Sequence, residues 1–202
     1  MKMKATVSSS EMKPESGEVL YQRFLGGNSS AFEELVALYE DELSRFIYGI
    51  VNDYHETEHL MIDTFAQLAL NKKPFKGDST LKTYLFGIAK NLTMQHIKKR
   101  KRDQHISFEE VAELDIGNSE SIQDILEKEE ATSSLRAAMR ELKKEYHAVL
   151  ILLYFENMSY RQAGRAMNKS EKQIKDLAYR AKATLKKKLE NRENFIPYLK
   201  LF

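Results

Sequence analysis

The sequence contains no cysteine, and it has only 8 glycines and 3 prolines among 202 residues. The absence of thiols excludes disulfide scaffolds, thiolate zinc fingers and cysteine nucleophiles, and it fits a reducing compartment. Turn-forming residues are too few for an all-β fold, which needs many tight turns. No apolar run approaches the roughly 18 residues that a membrane span requires. We therefore expect a helical protein of one or two domains that is located in the cytoplasm.

The net charge of +2 conceals a strong segregation of charge. Residues 90–102 carry six basic side chains and no acid, and residues 172–192 carry eight bases against two acids. Between these segments, residues 103–130 carry ten acids and a single base. Blocks of like charge attract or repel polyanions. The order basic, acidic, basic predicts two surfaces that bind a polyanion, joined by an acidic linker.

Apolar residues recur at steps of three and four in the first half of the chain, which predicts amphipathic helices. The first stripe runs from Phe32 to Ile50 and ends at Asn52-Asp53. Short polar side chains stand where these helices should begin. The predicted N-terminal caps are Ser30 (in a capping box with Glu33), Asp53, and Asp78 or Ser79.

The second half predicts a buried helix followed by two short, capped helices. Residues 146–155 (Y-H-A-V-L-I-L-L-Y-F) are apolar nearly all round. Two S-x-x-Q capping boxes follow, Ser159 with Gln162 and Ser170 with Gln173. They predict helices over Tyr160–Met167 and from Glu171 onward, joined by the short turn at Asn168-Lys169. The residues that we expect to face inward on the second helix are Ile174, Leu177, Ala178, Ala181, Leu185 and Leu189.

Two helices joined by a tight turn, the second of them basic, are typical of a DNA-binding helix-turn-helix. The alternative is a basic amphipathic helix on an ordinary bundle. A second candidate surface lies near the basic helix end at residues 90–102, because aromatic rings and cations together suit single-stranded DNA. Tyr84 fits the apolar stripe, whereas Phe86 lies off it and is the better candidate for base stacking.

Residues 55–59 read H-E-T-E-H, which matches the H-E-x-x-H signature of zinc proteases. On a helix His55 and His59 would share a face, with Glu56 as the general base. The motif lies at a helix start among acidic residues, and no third ligand is identifiable. We therefore expect an exposed acidic helix and no metal. Measuring the metal content of the purified protein distinguishes a zinc hydrolase from the other interpretations.

Several segments match the motifs of one known family in order. They are residues 31–43 (A-F-E-E-L-V-A-L-Y-E-D-E-L), 63–65 (D-T-F), 75–92 (F-K-G-D-S-T-L-K-T-Y-L-F-G-I-A-K-N-L), 157–175 (N-M-S-Y-R-Q-A-G-R-A-M-N-K-S-E-K-Q-I-K) and 179–185 (Y-R-A-K-A-T-L). On these motifs the chain resembles bacterial alternative sigma factors of the sigma-70 family, in the extracytoplasmic function (ECF) group. The resemblance implies an all-α protein with two small helical domains.

The resemblance also implies a dissociable specificity subunit of RNA polymerase, without catalytic residues or cofactors. The expected organisation is a disordered tail at 1–16, sigma region 2 at 17–102, the acidic linker at 103–130, sigma region 4 at 131–192 and a tail at 193–202. Region 2 is expected to bind the clamp helices of the largest polymerase subunit and to open the −10 element. Region 4 is expected to bind the −35 element as duplex and to touch the flap. An anti-sigma factor that holds the protein at the inner face of the membrane is a further expected partner.

The resemblance assigns individual residues to these contacts. For core polymerase they are Asp53, Glu56, Glu58, Asp63, Thr64 and Gln67. For the −10 element they are Phe75, Lys76, Asp78, Ser79, Thr83, Tyr84, Lys90, Asn91, Lys98, Lys99 and Arg100. For the −35 element they are Ser170, Lys172, Gln173, Lys175, Asp176, Tyr179 and Arg180. His59 replaces a carboxylate of the family's acidic motif, and Ile62 replaces a glutamine.

Two questions stay open at the level of sequence. The first is whether the protein is a helix-turn-helix regulator that acts without polymerase, although a regulator has no need of single-strand features in its first domain. The second concerns the acidic linker, which is either a solvated spacer or a tethered DNA mimic that competes for the basic surfaces of the free protein.

Overall fold

A computed structural model describes residues 15–70, 75, 77–103 and 134–190, and all regular elements among them are helical. The helices are α1 (Gly17–Leu25), α2 (Ser29–Val51), α3 (Tyr54–Leu70), α4 (Leu81–Asp103), α5 (described over 134–140), α6 (Lys144–Leu150), α7 (Tyr160–Met167) and α8 (Glu171–Glu190), with a π-helical turn at Ile151–Phe155 after α6. The all-α prediction is confirmed. The predicted tails and linker lie almost entirely outside the described residues.

The first compact unit of the chain ends at Leu38, inside α2. It contains α1 and the first turns of α2. The ring of Phe24 on α1 lies 4.6 Å from that of Phe32 on α2, measured between centroids. Arg23 forms an ion pair of 3.5 Å with Glu34. An aromatic contact and an ion pair therefore join the two helices of this unit.

The second compact unit begins at Tyr39 and includes the rest of α2 together with α3 to α8. Helix α3 packs against α4, α4 packs against α7, and α8 packs against both α6 and α7. Helices on both sides of the acidic segment in the sequence belong to this unit, because α4 and α7 are in contact. One unit therefore carries both the first basic helix and the helix-turn-helix.

Two predicted helix ends are confirmed. Asn52 adopts a left-handed backbone (φ 56°) and terminates α2. Asp53 then caps α3, since its Oδ1 accepts a hydrogen bond of 3.0 Å from the backbone N–H of Glu56. Short polar side chains favour such positions because they satisfy backbone groups that the helix leaves unpaired.

Two predicted caps are wrong by one or two residues. Helix α2 begins at Ser29, so Asn28 is the cap in place of Ser30, and its Oδ1 accepts from Ala31 N–H at 3.3 Å. Helix α4 begins at Leu81, and Thr80 caps it in place of Asp78 or Ser79, accepting from Thr83 N–H at 3.2 Å. In both cases the cap is the residue directly before the first helical residue.

The predicted buried helix over 146–155 is only partly confirmed. Helix α6 is buried, but the chain then widens into the π-helical turn, where Glu156 N–H donates to Ile151 C=O at 3.0 Å. The changed register turns the last two apolar residues outward. Tyr154 and Phe155 are 40% and 58% exposed. None of the helices within the described ranges is long and apolar enough to cross a lipid bilayer.

Candidate nucleic-acid interface

Local hydrogen bonds fix the turn between α7 and α8. Ser159 and Gln162 form a complete capping box at the start of α7. Asn168 ends α7 in the left-handed region (φ 54°), a conformation that asparagine tolerates better than most residues. A Cβ at Gly164 would lie only 2.7 Å from Lys169 C=O, so this close turn requires glycine. Both predicted helices and the turn between them are confirmed.

The polar face of α8 is open to solvent. All seven residues predicted to contact the −35 element are exposed, and Tyr179 is 77% exposed. The six residues predicted to face inward are all buried. Helix α8 therefore has the form of a recognition helix that stands on the packed body of α6 and α7.

Two candidate base-reading residues on α8 already have local partners. Gln173 Oε1 accepts from Ser170 N–H at 2.8 Å, which completes the second capping box. Lys175 pairs with Glu171 at 2.8 Å, and this hydrogen bond raises the pKa of Lys175 above its ordinary value. Lys175 also lies over the ring of Tyr160, 5.6 Å from its centroid. These contacts orient both side chains at the first turn of the helix.

The candidate −10 surface begins with an aromatic pair. Phe75 and Tyr84 are both half-buried, and their ring centroids lie 5.6 Å apart. Asp78 is exposed and Ser79 half-buried beside them, whereas Lys76 lies outside the described residues. The structure thus brings two predicted aromatic side chains together at the start of α4.

Two other residues do not belong to this surface. Thr83 is 1% exposed, and its hydroxyl lies 2.8 Å from that of Thr80, so it serves the helix cap. The prediction that Phe86 stacks on bases is wrong, because Phe86 is fully buried with its ring 5.2 Å from that of Phe46. A helix packed on more than one side buries residues that lie off its main apolar stripe.

In the basic part of α4 the first lysine is half-buried, and the predicted DNA contacts after it are exposed. Lys90 is half-buried, and burial lowers its pKa, with the charges of Lys169 and Lys98 acting in the same direction and Glu145 opposing them. Asn91 accepts from Lys90 Nζ at 3.4 Å. Farther along the helix, the predicted DNA contacts Lys98, Lys99 and Arg100 are all exposed.

The candidate polymerase surface is the exposed side of α3. Glu58, Asp63 and Gln67 are exposed there together with the apolar Ile62, which is 56% exposed. Asp53 caps the helix, as described above, and so has a structural role of its own.

Two other polymerase candidates have partners within the protein. Glu56 Oε2 lies 3.2 Å from His96 Nε2 on α4. Thr64 is fully buried, and its hydroxyl donates to Leu60 C=O at 2.6 Å, so its side chain is not part of the surface. The hydroxyl of a threonine or serine on a helix can donate a hydrogen bond to a backbone carbonyl of the preceding turn.

The H-E-x-x-H motif lies at the start of α3 with both histidines, His55 and His59, exposed. Within the described residues, no group of three or more histidine, aspartate or glutamate side chains is placed to hold a metal ion. Glu56, which would be the general base of a zinc protease, lies at ion-pair distance from His96.

Sequence reasoning missed two buried polar groups. Lys82 Nζ lies 2.9 Å from both Glu42 Oε2 and Glu156 Oε2, and the Glu156 side chain is only 3% exposed. Burial acts to lower the pKa of Lys82, but its hydrogen bonds to the two carboxylates outweigh this and raise the pKa. His147 is 5% exposed inside α6. The sequence did contain an indication of the buried His147, because this histidine interrupts an otherwise apolar run of residues.

Helical packing, a capped helix-turn-helix and separate basic surfaces together define a DNA-binding protein of the helix-turn-helix class. The sequence profiles of two protein families match the chain: Sigma-70 region 2 over residues 24–103 and Sigma-70 region 4 over residues 132–185. The chain therefore belongs to the sigma-70 family, in the ECF group, and it is a sigma subunit of RNA polymerase.

Curated relatives and solved structures agree with this assignment. The ECF RNA polymerase sigma factors SigM and SigW of Bacillus subtilis (strain 168) are 27% and 24% identical; the matches cover 76% and 82% of this chain and 92% of each relative. The sigma factor RpoE of Bartonella quintana, solved in complex with the anti-sigma factor NepR, has the same fold (TM-score 0.64, 22% identity, 79% of this chain and 96% of that one). CnrH in complex with the cytosolic domain of CnrY has a TM-score of 0.62 at 21% identity, with 89% and 100% covered.

Proposed function

We propose that α8 reads the −35 element as duplex DNA. The observation that carries this proposal is the exposed polar face of α8, a helix that follows a left-handed turn at Asn168 and begins with the capping box of Ser170 and Gln173. Residues in the first turns of such a helix reach base edges in the major groove. Gln173 and Lys175 are the base-reading candidates, and Arg180 is the phosphate candidate.

We propose that the −10 strand is bound by the surface that begins at Phe75 and Tyr84. Two neighbouring rings offer a stacking platform, and the exposed cations at Lys98, Lys99 and Arg100 suit the backbone phosphates. The core polymerase is then bound by the exposed side of α3, through Glu58, Asp63 and Gln67. On this proposal the protein is not an enzyme, and it acts in the cytoplasm where the polymerase and the chromosome are.

The test is run-off transcription on genomic DNA with bacterial core polymerase, with and without the protein. The proposal expects new transcripts that need both components. A regulator that acts without being a polymerase subunit would bind the same DNA without core polymerase and would give no new starts with core alone. The absence of new starts, with DNA binding retained, would support that alternative.

We also propose that an anti-sigma factor controls the protein. Two sigma factors of the same fold have been solved in complexes with NepR and with the cytosolic domain of CnrY. The proposal predicts that the protein, purified from its own host, carries a partner that abolishes the run-off transcripts when it is added back in stoichiometric amount. A co-purifying protein that leaves the transcripts unchanged would not be that factor.

A further inference from the structure

Helix α8 carries a single acidic side chain in the middle of its basic sequence. From Lys172 to Lys188 the helix has seven basic residues, and Asp176 is the only acid among them. The two other acids of α8, Glu171 and Glu190, are its first and last residues. A carboxylate in the middle of a helix that binds DNA is repelled by the phosphates, and so it weakens the electrostatic part of binding.

The carboxylate of Asp176 has no ion-pair or hydrogen-bond partner among the residues that the structure describes. Its side chain is exposed, and Arg180 Nε donates to the backbone carbonyl of Asp176 at 3.2 Å, not to the carboxylate. Glu171 differs, because it pairs with Lys175 at 2.8 Å and lies in the first turn, where the helix dipole favours negative charge. The acid at Asp176 therefore has no such structural role within the described part of the chain.

Asp176 lies at the centre of the exposed face of α8. An α-helix has 3.6 residues per turn, so residues two positions before and after Asp176 point about 200° away from it. These residues are Ile174 and Ala178, and both are buried. The side chain of Asp176 is therefore directed away from the body on which α8 is packed.

Two lysines of α8 are directed to one flank of this exposed face. Lys175 lies over the ring of Tyr160 at 5.6 Å, and Lys182 lies over the ring of Tyr154 at 5.5 Å, each measured to the ring centroid. When a helix enters the major groove, its centre faces the base edges and its flanks face the sugar-phosphate walls. Positive charge on the flank reduces the repulsion between Asp176 and the phosphates, and the carboxylate is left facing the bases.

The major groove offers a carboxylate few partners. A carboxylate only accepts hydrogen bonds, and the donors along this groove are the amino groups of cytosine and adenine. The amino group of adenine lies beside N7, an acceptor that repels the second carboxylate oxygen, whereas cytosine presents its N4 amino group without an acceptor beside it on the same base. Guanine presents acceptors, and thymine presents an acceptor and a methyl group. Cytosine is therefore the base that best fits a carboxylate.

We propose that Asp176 determines specificity within the −35 element by accepting a hydrogen bond from the N4 amino group of a cytosine. This inference rests on the proposed function of α8, because it needs that helix to lie in the major groove. At guanine or thymine the carboxylate would lose its hydration without gaining a donor. Such an unpaired polar group is costly, so the acid selects against the wrong base as well as for the right one.

The test is binding of the holoenzyme, assembled with bacterial core polymerase, to promoter DNA in which the −35 element is randomised. The wild type should prefer a C·G pair at a position where Asp176→Ala lowers the discrimination about tenfold. Asp176→Asn should favour A·T at that position, because an amide pairs with N6 and N7 of adenine. The preferences at the other positions should persist. Circular dichroism confirms that both variants are folded.

The matched control is Glu190→Gln, which removes an exposed acid from the far end of the same helix and should leave every base preference unchanged. If the variants of Asp176 behave like this control, or bind all sequences more tightly alike, the carboxylate reads no base and the inference is overturned. A loss of discrimination at a pair other than C·G overturns the assignment of cytosine.

Arg180→Ala distinguishes a failure of this inference from a failure of the proposed function. If Arg180→Ala weakens binding in the same assay while the variants of Asp176 keep every preference, α8 contacts the DNA and only the role of Asp176 is wrong. If neither Arg180→Ala nor any variant of Asp176 alters binding, α8 does not lie on the −35 element, and both proposals fail.

Discussion

Helices α4 and α8 both carry basic faces, but these faces have different surroundings. On α8 the candidate contacts are exposed, and the partners of Gln173 and Lys175 come from α7, the turn or the same helix. On α4, Lys90 is half-buried and Asn91 touches the turn of the helix-turn-helix. The face of α8 is therefore formed by one short segment of sequence. The face of α4 depends on how a distant part of the chain is docked.

The largest expected effect comes from breaking the ion pair that joins α4 to the second half of the chain. Removing one partner of a buried pair costs about 3–5 kcal/mol, and since the Lys82 side chain is 26% exposed we expect Lys82→Met to lower the free energy of unfolding by about 3 kcal/mol. Urea titration measures this loss. Adding Glu156→Gln removes the stranded charge and should recover part of it.

The control for Lys82→Met is Lys175→Met, which breaks the exposed pair on α8. Exposed ion pairs contribute little because solvent screens them. We expect no measurable change in the free energy of unfolding for this variant. Equal losses for the two lysine variants would show that the pair between Lys82 and Glu156 is not buried in solution.

The next largest effect concerns only the exposed face of α8. Gln173→Ala and Gln173→Glu should both reduce discrimination at particular base pairs of the −35 element by about 1–3 kcal/mol. Only Gln173→Ala should also lower stability, because glutamate keeps the oxygen that accepts from Ser170 N–H. Binding of the holoenzyme to single-base promoter variants measures the first effect, and urea unfolding the second.

Arg180→Ala is the matched control on the same helix. A lost phosphate contact should weaken binding to all sequences alike and reduce the salt dependence. If the −35 preference is unaltered by both substitutions of Gln173 and by Lys175→Ala, α8 is not the reading helix.

The same comparison explains what could be predicted from sequence. Both ends of α7 and the start of α8 follow from the sequence to the residue, because capping boxes and helical periodicity act within one or two turns. The burial of Phe86 and the position of Lys90 do not follow, since they depend on Phe46 and on residues near Lys169 that are far away in sequence. Gly49 and Gly87 were the available signal, because glycines within a helical pattern often have a packing reason.

A smaller effect is the pH dependence of stability, and it concerns His147, which lies against Gly49 of α2. Burial lowers the pKa of His147, the hydrogen bond to Met139 C=O opposes this, and Lys144 lowers it further. The folded protein therefore binds fewer protons than the unfolded chain below the ordinary histidine pKa of about 6.5. Stability should be complete above this pH and should fall as the pH decreases, by at most about 1.4 kcal/mol per unit.

His147→Asn tests the assignment, because the asparagine amide retains a donor for Met139 C=O and does not titrate. Unfolding between pH 7.5 and 5.5 should show a shallower dependence in this variant than in the wild type. The other four histidines, at positions 55, 59, 96 and 105, are present in both proteins and cancel in the comparison. Identical slopes would mean that His147 contributes nothing to the pH dependence.

The next comparison distinguishes the two interpretations of the acidic segment, a solvated spacer and a tethered DNA mimic. Replacing Glu109, Glu110, Glu113 and Asp115 with glutamine or asparagine removes four charges from the predicted linker, which lies outside the described residues. If the segment is a tethered DNA mimic, the free variant should bind promoter DNA more tightly at low salt and match the wild type at high salt. Equal affinity at low salt would leave the spacer interpretation.

The last substitution is expected to have no effect. It concerns a surface of α3 that lies outside both basic faces. His55 and His59 match the zinc-protease signature, but both are exposed at the start of α3, and Glu56 lies at ion-pair distance from His96. If neither histidine binds a metal or contacts polymerase, replacing both with alanine should leave run-off transcription unchanged. Metal content of the dialysed wild-type protein is measured in parallel. The matched substitution on the same helix is Asp63→Ala, which removes an exposed candidate contact to the polymerase and should reduce transcription by weakening assembly with core. A loss of transcription in the histidine variant, together with stoichiometric zinc in the wild type, would assign a metal site to α3. The same loss without zinc would instead extend the polymerase surface of α3 to His59, which lies beside Glu58 in the sequence.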